Sequence, residues 1–135
     1  LFALLDTGAL PLRVACVETL RRSGRPEAVE RFAAALRGEA DTRVRASMVA
    51  AVGERGGRDM LPVILEELSH PDDRVRANAV EAVERLGDAG QVDRLLALSE
   101  DPGNRVRANV IRAVFRLGKL HQKENLEAMI AAPPS

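Results

Sequence analysis

Pro71-Asp-Asp-Arg-Val-Arg-Ala-Asn-Ala-Val-Glu-Ala-Val-Glu-Arg-Leu-Gly87 decides the fold, because this stretch recurs along the chain. Asp41-Thr-Arg-Val-Arg-Ala-Ser-Met-Val-Ala-Ala-Val-Gly53 is a second copy. Pro102-Gly-Asn-Arg-Val-Arg-Ala-Asn-Val-Ile-Arg-Ala-Val-Phe-Arg-Leu-Gly118 is a third, and Pro11-Leu-Arg-Val-Ala-Cys-Val-Glu-Thr-Leu-Arg-Arg-Ser-Gly24 a degraded fourth. Arg13, Arg45, Arg76 and Arg107 fall in register, 32, 31 and 31 residues apart. A fixed period in this range marks a stack of similar units, each unable to bury its apolar face alone.

Each unit reads as two helices. Second helices are predicted at about 12–23, 42–55, 73–86 and 104–117, with Asp41 and Asp72 placed to accept the free N–H groups at their starts. Gly103 holds the matching place in the third turn, so that cap is weaker or passes to Asn104. Gly24, Gly56, Gly87 and Gly118 read as helix stops, where a left-handed residue is favoured. First helices follow them at about 26–37, 59–69, 89–100 and 121–131, on the helical spacing of Val29, Phe32 and Leu36 and of Leu61, Ile64, Leu65 and Leu68. Around the quoted helix, Val75, Ala79, Ala82, Val83 and Leu86 form one apolar arc, which Val80 and its equivalents Val17, Val49 and Ile111 widen. So wide a face touches both its own partner helix and the next unit.

The predicted fold class is therefore all-α, an α-solenoid: a right-handed superhelical stack of helical hairpins forming a single repeat domain over 1–135. A partial repeat occupies 1–24, repeats lie at about 25–56, 57–87 and 88–118, and a C-terminal helix spans 119–135. The chain begins without Met, and its first six residues align with the second half of a first helix, as expected of a piece of a longer protein.

The pattern Gly24-x-Pro-Glu-Ala-Val-x-x-Phe32, followed by an Asp/Pro turn, Val-Arg, Ala-x-x-Ala-Val and Gly, resembles bacterial HEAT-like repeats. Within them it is most similar to the subgroup named after phycobiliprotein lyases. The resemblance implies that the second helices line the concave side. It also implies that Arg45, Arg76 and Arg107 form a structural ladder toward the acidic turn residues Asp41, Asp72 and Asp101. A lyase-type, chromophore-handling role is implied by the subgroup's name alone.

Composition narrows the function. Twenty basic and 20 acidic residues balance to a formal charge of zero, so no long-range field for nucleic acid or membrane is expected from totals. The single cysteine, Cys16, sits at an apolar position and reads as a core thiol, and two histidines leave little for a metal site. No His-Glu dipeptide, zinc spacing or phosphate loop occurs, so neither an enzyme nor a bound cofactor is expected. No apolar run approaches the roughly 18 residues of a membrane span, and no signal peptide is visible. A cytoplasmic protein is expected, although native targeting signals could lie outside this stretch.

The remaining reading is an interaction scaffold or regulatory module that takes a protein segment on the concave face. Candidate contact residues are Asn78, Glu81, Arg85, Asn109, Arg112, Phe115 and Arg116, above a low floor of Val14, Ala46, Ala77 and Ala108. Phe115 is either an exposed anchor or is covered by the last helix; Phe2 and Phe32 belong to the core. As an alternative, Arg43, Arg74 and Arg105 line up at helix starts and suit phosphate or another anion. Acidic neighbours in the same turns, and the lack of Trp or Tyr to stack a base, weigh against nucleic acid. The buried arc carries a direct test. Val83→Asp places an unpaired charge in the stacking surface, and thermal melting should show a loss on the order of 4 kcal/mol. A midpoint equal to the parent's would remove Val83 from the core.

Overall fold

A computed structural model describes residues 2–131, which hold eight α-helices and no strand. They are α1 (Phe2–Thr7), α2 (Leu10–Ser23), α3 (Pro26–Ala35), α4 (Thr42–Arg55), α5 (Leu61–Glu67), α6 (Asp73–Leu86), α7 (Val92–Leu96) and α8 (Asn104–Ala131). Short 3-10 turns extend α3 at Leu36–Gly38 and lead into α5 and α7 at Arg58–Met60 and Ala89–Gln91. Each odd helix packs on the even helix after it, and α2, α4, α6 and α8 pack one on the next. This is an all-α solenoid.

Local chemistry sets the helix starts. Asp41 Oδ1 accepts the N–H groups of Arg43 and Val44, both at 3.0 Å. Asp72 Oδ1 does the same for Arg74 at 2.9 Å and Val75 at 3.2 Å. In the third turn the carboxylate has moved upstream, and Asp101 accepts from the Gly103 N–H at 2.8 Å.

The helix ends depart from expectation. Only Gly24 is left-handed, with φ 63°. Gly56 and Gly87 close α4 and α6 with extended backbone at φ −74° and −91°. What they supply is room: a Cβ would lie 2.5 Å from the Val52 carbonyl oxygen at Gly56, and 2.7 Å from that of Val83 at Gly87. Gly118 stops nothing. A helix-interior glycine costs only about 1 kcal/mol, and good helix formers flank this one, with no proline until Pro133. The segment 119–131, expected as a separate first helix beginning near His121, instead continues α8 with every residue exposed. Residues 132–135 of that expected helix lie outside the described residues.

The core runs the length of the stack. Val17, Val49 and Val80 are fully buried, as are Val44, Val75, Val106, Phe32, Ile64 and Leu95. Cys16 is buried among them, and Phe2 is half-buried with the guanidinium groups of Arg25 and Arg31 at 5.8 and 5.7 Å from its ring. Ile111 breaks the series at 72% exposed. Its counterparts are covered by the following even helix, and among the described residues none follows α8.

Gly53 marks a close seam. A Cβ there would sit 2.6 Å from Ala82 Cβ and 2.9 Å from Ala82 Cα, so α4 and α6 meet backbone against methyl. Helix propensity alone would favour Gly53→Ala by about 1 kcal/mol. Neither atom it meets can swing aside, and overpacking of this kind costs about 1–3 kcal/mol. The variant should melt below the parent; a raised midpoint would show that α4 and α6 separate without cost.

Candidate functional site

The repeated arginines stitch one repeat to the next. Arg13 pairs with Glu39. Arg45 donates from Nε and Nη2 to Glu67, both at 2.8 Å, and Arg76 donates in the same two-pronged way to Asp101 at 2.8 and 2.9 Å. Such paired bonds are the strong form of guanidinium–carboxylate contact. The remaining arm takes a carbonyl six residues upstream: Arg45 to Glu39 at 3.1 Å, Arg76 to His70 at 2.9 Å and Arg107 to Asp101 at 2.6 Å. Arg107 adds Asn104 and forms no ion pair among the described residues.

This corrects the expected ladder. Asp41 and Asp72 do not receive Arg45 and Arg76, because the amide groups of their own helix starts occupy them. The receiving carboxylates, Glu67 at the end of α5 and Asp101 in the turn between α7 and α8, are buried. The Arg76 guanidinium, and secondarily the Gly103 N–H, hold the Asp101 carboxyl below its ordinary range against the opposing effect of burial.

Beside these stitches, a groove of about 340 Å³ crosses the second helices. Ala46, Ala50, Gly53 and Ala82 make its low floor. Arg43, Arg74 and Arg105 stand at the N-terminal ends of α4, α6 and α8, and Arg21, Glu54 and Arg85 toward the C-terminal ends of α2, α4 and α6. Glu54 is bound by Arg21, with Nε–Oε2 at 3.1 Å, and that bond, opposed by partial burial, holds the Glu54 carboxyl below its ordinary range. Arg105 donates to Asn78 Oδ1 at 2.9 Å and Glu81 Oε1 at 3.2 Å. Among the described residues Arg74 makes long contacts, 3.4 Å to Thr42 Oγ1 and 3.5 Å to Asp72. The side chains of Arg43 and Arg85 make no hydrogen bond or ion pair among the described residues.

The candidate contact residues divide. Asn78, Glu81 and Arg85 line the groove. Asn109 does not: it is buried and donates to the Ala77 carbonyl at 3.1 Å, as Asn78 donates to that of Ala46 at 2.9 Å. These asparagines are cross-helix ties. Arg112 and Arg116 hold the buried carboxylate of Glu84 at 3.1 and 3.4 Å. Phe115 is 63% exposed under the Lys119 ammonium at 4.5 Å, because α8 runs on instead of folding back over it. Its column partners Gly53 and Glu84 are buried at seams, so Phe115 lies at an open seam and outside the groove.

For the anion alternative, the arginine row is real, but the amide groups at the starts of α4 and α6 are already taken by Asp41 and Asp72. Sequence reasoning missed Glu39, Glu54, Glu67 and Glu84. The available signal was an arginine and a carboxylate 22–33 residues apart, as in Arg45/Glu67 and Arg21/Glu54 and, in reversed order, Glu84/Arg112.

Residues 61–135, more than half of the chain, match the family described as HEAT repeats, and the chain belongs to that family. No curated protein matches it. No described helix is long and apolar enough to cross a membrane.

The Arg76–Asp101 stitch gives stability a predictable pH dependence. Since folding lowers the Asp101 pKa, the pair contributes fully above the unfolded carboxyl's range, near pH 4, and is lost as pH falls through the depressed value. Asp101→Asn should cost about 2 kcal/mol at pH 7, with the gap closing in urea titrations toward pH 3. A gap independent of pH would show that the charge contributes nothing.

Proposed function

We propose that the protein is a non-catalytic interaction module that holds a segment of a protein partner in the groove across α4, α6 and α8. The observation that carries this reading is the combination of a low alanine and glycine floor with arginines left unsatisfied above it. A floor without bulk admits a backbone, and polar groups at the rim fix its position. The HEAT-repeat assignment supports an interaction role in general terms, since fold alone does not name a partner.

Site-specific photo-crosslinking tests the groove. A photoreactive residue at Ala50, on the floor, should give a discrete adduct in a lysate of the source cells. The same probe at Glu30, exposed on α3, should give none. Equal adducts from both positions, or none from Ala50, would remove the groove as the contact surface.

A further inference from the structure

We infer that the segment held in the groove is acidic and extended, with a carboxylate at every third residue, an inference that rests on the groove being the contact surface. Five arginines and two glutamates line it, a local excess of three positive charges on a chain with no net charge. Both glutamates are already answered from within, Glu54 by Arg21 and Glu81 by Arg105. Among the described residues Arg43 forms no ion pair, Arg85 acts on the Glu54 carboxyl only from a distance, and the carboxylate nearest Arg74 is its own cap at 3.5 Å.

Spacing specifies the occupant further. Arg43, Arg74 and Arg105 repeat once per helix, and packed helices lie about 8–10 Å apart. A polyproline II segment repeats every three residues and rises about 3.1 Å per residue, or roughly 9 Å per turn. Its every third side chain therefore points the same way at the arginines' own interval. A continuous polyanion fits less well. Its uniform line of phosphates would run past Glu81 beside Arg105, whereas separate carboxylates can meet the arginines and pass that glutamate by. No aromatic side chain lines the groove to stack a base.

Fluorescence anisotropy with labelled peptides decides the matter. The peptide (Glu-Pro-Ala)4 should bind, and (Gln-Pro-Ala)4 at least tenfold more weakly. A peptide of the same composition with its glutamates clustered should bind at least threefold more weakly. Arg43→Gln and Arg74→Gln should each weaken (Glu-Pro-Ala)4 threefold or more while leaving the circular dichroism melt unchanged, and Arg94→Gln, outside the groove, should do neither. Equal binding of the glutamine or clustered peptide overturns the inference, as does equally tight binding of a 12-residue oligothymidylate. An adduct from Ala50 with no binding of (Glu-Pro-Ala)4 sinks the acidic segment alone; absence of both sinks the groove as well.

Discussion

Val17, Val49 and Val80 are each sealed from water by a helix that belongs to the following repeat. Burying a valine side chain is worth about 1.5–3 kcal/mol, and no hairpin can collect that gain from its own residues at these positions. Ile111, with the same place in its repeat and no cover, shows what the others would be without a neighbour. Stability is consequently a property of seams, and every other interaction depends on the seams bringing helices to fixed separations. The guanidinium–carboxylate stitches form only because a second helix and the next first helix already stand at the right distance. The groove is the outer surface of the same row.

The charges follow a division of labour. Arginines whose side chains point along the stack find buried carboxylates in the next repeat, as Arg45 finds Glu67 and Arg76 finds Asp101. Burial makes these pairs selective, since a lone charge in that position is heavily penalised. Arginines whose side chains point outward, Arg43, Arg74 and Arg85, are left to solvent. A balanced total thus conceals two populations, one structural and internally matched, the other available. Exposed cross-repeat pairs such as Arg37–Glu66 and Arg58–Asp88 add little, as surface pairs do.

The fold was legible because period, caps and the apolar arc agree. Thr42, Asp73 and Asn104 begin their helices where Asp41, Asp72 and the shared Val-Arg register place them. The misreadings have a common cause: they depend on what lies one repeat away. Asn109 looked like a surface residue, yet the helix before it supplies a carbonyl. Glu84 and Gly53 share the register position of the exposed Phe115, yet each is covered by the next helix. Gly118 carried the same letter as three genuine stops, but lacked the proline that follows Gly24 and the carbonyl contacts that crowd Gly56 and Gly87. Of the groove, the arginine row was legible from register. Which arginines remain unmatched was not, because that requires knowing every partner in space.

The near-contact of Gly53 with Ala82 has a mechanical consequence. A coiled stack behaves as a spring, and its compliance is set seam by seam. Where α4 and α6 touch backbone to methyl, there is no side chain to tilt or slide, so that turn of the spring is stiff. Across α6 and α8 the equivalent position is Glu84, held by two long, half-free guanidinium arms. Bending the stack at that seam has to move side-chain contacts, whereas bending it at the seam before has to part backbone from methyl.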